Sequence, residues 1–413
     1  METDGLTLGA AKRDVTPAAG LLMAGYGGRE DPAVGTHLPL WARATVCAQG
    51  DVRIALVGVD VVGINREKTG EIRRAICTET GILEDRILIA TTHTHSGPVT
   101  TKFRDVVPDP AYMRDLSKGI VGAVAEASEG LTPVRIGFAQ GEEPEFHHNR
   151  RNEGEPIDST LGVVRFVDGA GRSVAIWVNY GCHPTILTGK NLYWSTDFAG
   201  VMCNILEETW GGVATFFNGC LGDVGPYRSQ QNFAEVEKVG GGLAGSVLKL
   251  GEGMVFGAID RLSGQSVLCA VPLEKAPDAE TLRRLSEGGE GPRYAAAWAR
   301  DQLRMREAGV PVVSDIELEV QGFHIGDVFL TCFSGQLFGA WGLDLRRRWP
   351  DDRLLIINQA NDHAGYFPSK VGWDLGGYEA NSAFMFNSDL PAPMTWEAGQ
   401  ELIHAALGFI SQP

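Results

Sequence analysis

Short apolar runs alternate along this chain with longer segments in which apolar residues recur at helical spacing. Residues 53–60 and 86–90 are two such runs, and residues 66–79, which follow the first, have the helical pattern. A strand repeats every two residues and a helix about every 3.6, so the alternation predicts an α/β fold. We expect mixed β-sheets flanked by helices.

The same pattern predicts the remaining elements. Further strands are expected at residues 134–138, 161–167, 173–179, 214–217, 316–320, 328–332 and 354–357. Helices are expected at residues 111–127, 197–208, 233–249, 279–286, 292–307, 337–348 and 396–409. We interpret residues 1–413 as a single domain with a helical insertion or lid at about 273–310, and Gly264 or the Pro277 region as a candidate boundary.

Charge and cysteine content narrow the functional classes. The net charge of −16, without a cluster of Lys and Arg, disfavours nucleic acid and anionic membrane surfaces as partners. A small-molecule substrate is expected instead, and a homo-oligomer is left open. The first residues have neither the positive charge nor the apolar run of a signal peptide, which predicts a cytoplasmic protein. The seven cysteines form no CxxC pair and are expected to be buried thiols.

The strongest chemical signal is the segment Thr91-Thr92-His93-Thr94-His95-Ser96-Gly97-Pro98, which follows the predicted strand 86–90. In extended backbone, residues two apart project from the same face, so His93 and His95 can point to one place. The residues alone leave two interpretations open. One is a metal ligand beside a second polar group, and the other is a hydrogen-bonded surface pair.

Comparable polar segments follow other predicted strands. They are residues 178–185, which contain His183, residues 216–226, residues 333–337, and residues 358–368 with 376–379. Active sites of open α/β sheets collect at the carboxyl ends of strands. The spacing therefore predicts one site assembled from several distant loops.

Taken in order, these segments resemble the neutral/alkaline ceramidase family. The resemblance rests on residues 10–17 with Gly25-Tyr26-Gly27, the HTHSGP segment 93–98, Asn179 with His183-Pro184, the Gly-Asp-Val-x-Pro segment 222–226, Ser334-Gly335-Gln336, and Gly365-Tyr366-x-Pro ahead of Gly376-Gly377-Tyr378-Glu379. It covers nearly the whole chain. It implies a fold like the ceramidase N-terminal catalytic domain and a zinc-dependent hydrolase centre.

The resemblance also implies roles for individual residues. The expected ligands of one zinc ion per chain are His93, His183, Tyr366 and Gln336, the last at a position where the family has a glutamate. His95 resembles the histidine beside the metal, and Arg150 or Arg151 resembles the arginine that contacts substrate or intermediate. The catalytic candidates are His95, His363, Arg150, Arg151 and Asp223. The substrate-binding candidates are His148, Asn218, Gly225 and Tyr378.

Two departures from the family pattern change the expected chemistry. Gly225 stands where ceramidases carry a serine, so hydrolysis here requires a metal-activated water, with His95 or His363 as the proton-transfer group. Gln336 is a neutral ligand in place of a carboxylate, which is expected to weaken metal binding. Asp362 or His363 is an alternative ligand that would complete the shell.

The chain ends after the predicted helix near Phe409, without the additional carboxyl-terminal β-domain of long ceramidases. With no secretion signal, this argues against membrane-embedded ceramide as the substrate. The leading hypothesis is a hydrolase of the C–N amide bond of a small soluble N-acyl substrate. The alternatives are an ester or lactone hydrolase with the same site, or a catalytically inactive binding protein.

Overall fold

The computed structural model describes residues 5–104, 106–292, 294–387 and 389–411. The strands found there, in chain order, are β1 (Thr7–Asp14), β2 (Gly35–Thr36), β3 (Trp41–Gln49), β4 (Val52–Val59), β5 (Ile87–Thr91), β6 (Thr132–Pro133), β7 (Arg135–Glu142), β8 (His147–Asn149), β9 (Thr160–Val167), β10 (Ser173–Tyr180), β11 (Tyr193–Trp194), β12 (Val213–Asn218), β13 (Val224–Pro226), β14 (Phe256–Gly257), β15 (Leu262–Pro272), β16 (Asp315–Ile325), β17 (Val328–Phe333), β18 (Gln336–Leu337), β19 (Leu354–Ile357) and β20 (Tyr366–Phe367). The α-helices are α1 (Arg66–Thr80), α2 (Pro110–Glu129), α3 (Asp197–Trp210), α4 (Phe233–Gly251), α5 (Ala279–Ser286), α6 (Ala295–Glu307), α7 (Gly339–Arg348), α8 (Lys370–Asp374), α9 (Ala383–Asn387) and α10 (Glu397–Leu407).

Three sheets contain most of the strands. Their strand orders are β5-β4-β3-β1-β6, β12-β10-β9-β7-β14 and β15-β16-β17-β19. Most neighbours are antiparallel, but one pair at an edge of each sheet is parallel: β4 with β5, β10 with β12, and β17 with β19. The predicted α/β class with mixed sheets is therefore confirmed.

The three parallel edges meet. Strand β12 contacts both β5 and β19. The buried amide of Asn179 joins β12 to β19. Its Nδ2 donates to Phe217 O at 2.9 Å and to Ile356 O at 2.9 Å, and its Oδ1 accepts from Ile356 N at 3.1 Å. The loops that follow these strands consequently begin close together.

Large side chains fill the space between the sheets. Phe166, Trp177 and Phe217 of the second sheet lie in one apolar cluster with Leu56 of the first sheet and Phe323 of the third. Burying a side chain of this size stabilises a protein by roughly 1.5–3 kcal/mol. Helices α1 and α2 pack beside the first sheet, α3 and α4 cover the second, and α7 and α10 pack beside the third.

The predicted strands and helices are found within a few residues of their expected ends, but two long strands were missed. Strand β3 interrupts its apolar sequence with Arg43, which is buried because it pairs with Asp60 at 2.5 Å. Strand β15 is rich in small and half-exposed residues, and its pairing with β16 stabilises it. Gly264 lies within β15 opposite Phe323, so the candidate boundary there was wrong.

The helical insertion connects β15 to β16. Helices α5 and α6 pack against each other, and Trp298 of α6 lies edge-on to Phe384 of α9, with ring centroids 5.3 Å apart. A helical pair was predicted here and is present. Across the described residues, no helix combines the length and the apolar character that crossing a membrane requires.

We predict that Asn179→Ala lowers the free energy of unfolding by about 3 kcal/mol, because it leaves three buried backbone groups without their partner. Urea unfolding measures this change. The exposed amide of Gln231 provides the control, and Gln231→Ala should shift the free energy by less than about 0.5 kcal/mol. Equal effects of the two substitutions would show that Asn179 does not hold the sheet edges together.

Candidate metal centre and active-site cleft

Three buried histidines meet beyond the carboxyl ends of β5 and β10. One ring nitrogen of each of His93, His95 and His183 lies within 4.8 Å of the others. The two Nε2 atoms of His93 and His95 are 3.2 Å apart, and the ring centroids of His93 and His183 are 5.0 Å apart. Side chains from two distant segments therefore present nitrogens to one small volume.

Backbone carbonyls fix the tautomers of two of these rings. Nδ1 of His93 donates to Val62 O at 2.5 Å, and Nδ1 of His183 donates to Val224 O at 2.9 Å, since a carbonyl can only accept. Each ring consequently has its lone pair at Nε2. Nε2 of His183 is buried and has no hydrogen-bond partner among the described residues. This is the orientation in which proteins hold metal-ligating imidazoles.

Burial keeps the three imidazoles neutral. It lowers the pKa of His93 and of His183 well below the usual value, and the neighbouring histidines and Arg150 lower both further. Burial, followed by the charge of Arg150, lowers the pKa of His95 to about 3. Neutral imidazole is the form that binds a metal ion.

Local backbone conformation brings His93 and His95 together in a way that the sequence interpretation missed. Strand β5 ends at Thr91, and His93 adopts a left-handed φ of 65°. The expectation of extended backbone at His93 was therefore wrong, although the two rings do meet. The backbone of Gly25 packs directly on His95, and a Cβ at residue 25 would lie 2.5 Å from His95 Cβ.

Gln336 and Tyr366 are paired residues of the parallel strands β18 and β20. Paired residues of neighbouring strands project to the same side, so the two side chains lie next to each other. Oε1 of Gln336 is buried without a hydrogen-bond partner among the described residues. The hydroxyl of Tyr366 lies 3.5 Å from Nη2 of Arg150.

The donor set fits a zinc ion. Imidazole nitrogens suit zinc, and Tyr366, which lines the same cleft as His95, and its strand partner Gln336 offer a phenol and an amide oxygen. His183 Nε2 and Gln336 Oε1 are buried and have no hydrogen-bond partner among the described residues. Buried polar atoms are normally paired, so an ion is the kind of partner that these two atoms lack.

His363 lies beside this cluster, with its ring centroid 5.7 Å from that of His93. Its Nδ1 contacts Gln359 Oε1 at 3.1 Å. Oδ1 of Asp362 accepts hydrogen bonds from Arg66 N and His363 N, and Asp362 and His363 both line a separate cavity of about 440 Å³. The alternative in which one of them completes the metal shell stays a prediction.

A cleft of about 640 Å³ opens beside the histidine cluster. Four residues predicted for the site line it: His95, Arg150, Tyr366 and Tyr378. The sequence interpretation missed six other lining side chains: Tyr26, Arg29, Thr188, Lys190, Tyr294 and Phe386. Tyr294 belongs to the helical insertion, which therefore reaches the cleft although nothing catalytic was predicted there. Only Tyr26 had a signal in the sequence, the Gly-Tyr-Gly segment.

The structure separates the two arginines that the sequence left as alternatives. Arg150 faces the cleft, while its Nη2 donates to Gly222 O at 2.9 Å and pairs with Glu379 at 3.1 Å. Arg151 pairs with the same Glu379 at 3.0 Å and donates to Gly372 O and Gly376 O, and it does not line the cleft. Arg151 positions the segment that carries Tyr378.

Two buried residues position the loops instead of facing the cleft. Oδ1 of Asn218 accepts from Cys182 N at 3.1 Å and its Nδ2 donates to Thr92 O at 3.0 Å, so it ties together the residues that precede His183 and His93. Asp223 accepts from Asn149 Nδ2 at 2.8 Å and from Gly339 N at 2.7 Å, and burial raises its pKa to about 6. These hydrogen bonds give both residues positioning roles, and the substrate contact of Asn218 and the catalytic role of Asp223 stay predictions.

His148 and Gly225 form a pair between strands β8 and β13. A Cβ at residue 225 would lie 3.3 Å from Arg150 Cβ, so this position borders the arginine of the cleft. His148 stacks on Tyr227 with ring centroids 4.5 Å apart. Both residues lie beside the cleft arginine, and their substrate-binding roles stay predictions.

Comparisons with known proteins agree with this arrangement. A family model described as neutral/alkaline non-lysosomal ceramidase, N-terminal, matches residues 6–233. The chain is 27% identical over 244 residues to the neutral ceramidase of Pseudomonas aeruginosa and 26% identical over 261 residues to that of Mycobacterium tuberculosis. These alignments cover 53% and 54% of this chain but only 36% and 40% of those proteins, so the matched part spans well under half of these curated relatives.

Two solved structures share the fold. The crystal structure of neutral ceramidase from Pseudomonas aeruginosa matches with a TM-score of 0.77 and 20% identity, over 98% of this chain and 74% of that chain. A structure described as ceramidase complexed with C2 matches with a TM-score of 0.76 and 19% identity, over 99% of this chain and 76% of that chain. At such low identity, the likeness shows the fold alone.

We predict that Gly25→Ala destabilises the protein by about 2 kcal/mol more than Gly20→Ala does. Both glycines have a positive φ, 98° and 106°, and therefore pay a similar backbone strain of roughly 1–2 kcal/mol. Only at residue 25 would the new methyl group collide with His95, whereas residue 20 has open space. Urea unfolding of both variants measures the difference, and equal losses would contradict the close packing described here.

Proposed function

The chain belongs to the neutral/alkaline non-lysosomal ceramidase family, and on that premise we propose that it hydrolyses the C–N amide bond of small soluble N-acyl compounds at a zinc centre. The name of the relatives, neutral ceramidase, refers to ceramide, which is itself an N-acyl amide. One observation supports the proposal above all others. Buried imidazoles from two distant loops converge, and Nδ1 of both His93 and His183 donates to a backbone carbonyl, which leaves the lone pair of each ring at Nε2.

His93, His183, Gln336 and Tyr366 would hold the ion. Zinc in such a site supplies a Lewis acid that polarises a carbonyl group and lowers the pKa of water. Residue 225, beside the cleft arginine, is a glycine and has no hydroxyl that could attack the substrate. Water is the nucleophile instead. The remaining chemistry is assigned to side chains of the cleft.

Arg150 is the group that binds the substrate carbonyl oxygen. Its guanidinium lines the cleft, and Gly222 O and Glu379 hold it in place. A fixed donor aimed at developing negative charge costs no reorganisation during the reaction, which is why such groups accelerate acyl transfer. Tyr378, whose ring lies 6.0 Å from that of Tyr366, lines the same cleft and can donate from its hydroxyl.

His95 is the candidate for proton transfer. It is the histidine of the cluster that lines the cleft, and its Nε2 lies 3.2 Å from Nε2 of His93. A neutral imidazole there accepts a proton from water and returns it to the leaving amine. His363 is less suited to this role because it lines the separate cavity.

We predict that the protein binds one zinc ion per chain and that His93→Ala and His183→Ala each abolish this binding, because each removes an inward-facing nitrogen. The metal content of protein that is stripped, reloaded and dialysed, determined by mass spectrometry, checks the prediction. His404→Ala is the control, since His404 lies on the exposed face of α10 and should leave the zinc content unchanged.

Turnover of a panel of N-acyl amides, esters and lactones then tests the reaction itself. Amide hydrolysis that disappears with zinc and returns on reloading supports the proposal. Hydrolysis confined to esters or lactones would replace the substrate class. Full zinc binding without turnover of any panel member would favour a binding protein, and undiminished amide hydrolysis in the zinc-free protein would remove the mechanism.

We predict that Gln336→Glu raises the affinity for zinc at least about tenfold, equivalent to ~1.4 kcal/mol. The substitution keeps an oxygen at the same place and adds a negative charge that a dication attracts. In the zinc-free protein, the same carboxylate would be buried without a partner and should lower the stability. Competition with a chromogenic chelator measures the affinity, and Gln336→Leu should lower it. Unchanged affinity in both variants would exclude Gln336 as a ligand.

A further inference from the structure

The cleft has the opposite charge to the protein as a whole. The chain has a net charge of −16, yet the described residues that line the cleft include Arg29, Arg150 and Lys190 and no aspartate or glutamate. The ligand set proposed for the centre likewise contains no carboxylate. A positive cleft on an acidic protein concentrates field lines and attracts anions.

Arg150 already has a carboxylate partner. Glu379 is largely buried behind it and pairs with it at 3.1 Å. Glu379 pairs with Arg151 as well, so one carboxylate serves two arginines. Glu379 thus holds Arg150 in place for its proposed role at the substrate carbonyl. Arg150 has a carboxylate partner within the protein and is not the first candidate to bind an anionic group of the substrate.

Arg29 has no such partner. Its Nη2 donates to His95 O at 2.7 Å, and its guanidinium lies 5.0 Å from the ring centroid of Tyr26. No carboxylate of the described residues forms an ion pair with it, and its Nε and Nη1 are buried without hydrogen-bond partners there. Burial lowers its pKa to about 10, so it stays charged at neutral pH. A desolvated charge without a partner is costly, which implies that another group pairs with it in the working protein.

Lys190 adds a second cation on the same wall. It is exposed and forms no ion pair within the described part of the chain. Its neighbour Gly189 packs on Tyr26, with which Arg29 also makes contact, so the two cations belong to adjoining loops. The walls are otherwise aromatic, with Tyr26, Tyr294 and Phe386 available to contact an apolar chain.

We propose that the substrate is an N-acyl amide that carries an anionic group, such as an N-acyl amino acid, and that Arg29 and Lys190 bind this group while the aromatic wall contacts the acyl chain. This inference rests on the proposed amide hydrolysis and specifies its substrate class. A carboxylate and a phosphate share the required chemistry, because both accept hydrogen bonds from a guanidinium and an ammonium.

Calorimetric titration of the zinc-free protein tests binding without turnover. The probes are N-octanoylglycine and its neutral isostere N-octanoylglycinamide, with N-octanoyl-O-phosphoethanolamine and N-octanoylethanolamine as the phosphate pair. We expect each anion to bind at least about tenfold more tightly than its neutral partner, with the preference falling as NaCl is raised. The pair with the larger preference identifies the anionic group. Equal affinities within both pairs would overturn the inference.

Arg29→Gln and Lys190→Gln should each reduce the preference by at least about threefold, whereas Arg29→Lys should retain part of it. Lys118→Gln is the matched control, because Lys118 lies exposed on α2 away from the cleft and should change nothing. If Arg29→Gln does not fold, Lys190→Gln and the salt dependence carry the test. A preference that survives in both glutamine variants would place the anion elsewhere and overturn the assignment.

Turnover of the same probes by the zinc-loaded protein separates the two proposals. Charge-dependent binding without hydrolysis of any probe would remove the amidase function and retain the anion site. Equal binding and equal hydrolysis of the charged and neutral probes would retain the amidase function and remove the anion site. A lower KM for the anionic probes that is lost in both Arg29→Gln and Lys190→Gln would support both.

Discussion

The structure depends on buried asparagine amides that join the parallel edges of three sheets. Asn179 connects β12 with β19, and Asn218 connects the residue before His93 with the residue before His183. Asn361 extends the network by accepting from Ile89 N at 2.9 Å. Each bond adds only about 1 kcal/mol net, but a buried amide that loses its partner costs more, so the network tolerates one arrangement of the loops and few others.

This constraint explains why strained backbone is found at the site. His93, Gln359 and Asn361 all have φ between 55° and 65°, a conformation that costs a residue other than glycine roughly 1–2 kcal/mol. The backbone carbonyl of Gln359 accepts a hydrogen bond from Thr91 N, and its side chain contacts both His93 and His363. The surrounding hydrogen bonds offset the strain, and the strained turn at His93 is what directs its ring toward His183.

The sequence predicted what is local and missed what is not. Apolar runs identified the strands that precede His93, His183 and Gln336, because the apolar pattern of a buried strand does not depend on the strands beside it. Strand β15 escaped notice because its pairing with β16 decides its conformation. The hydrogen bonds by which Asn218 joins two loops were missed for the same reason, since its partners Cys182 and Thr92 are distant in the chain. Arg29, Lys190 and Tyr294 lie in ordinary loops, and only the folding of those loops onto one cleft gives them a common role.

Charge connects the proposed metal centre with the cleft. In that centre, Gln336 would provide an amide where a carboxylate would neutralise part of a dication, and the cleft residues described here add cations without acids. Both features would make the same place more positive, which gives an anionic substrate an attraction that a neutral substrate lacks. The net charge of −16 repels an anion from the protein as a whole, whereas the cations of the cleft attract it, and low-dielectric walls strengthen this attraction because they exclude water. In these proposals, a neutral ligand of the ion and an arginine without an ion pair among the described residues are parts of one electrostatic arrangement, in which the substrate supplies the negative charge.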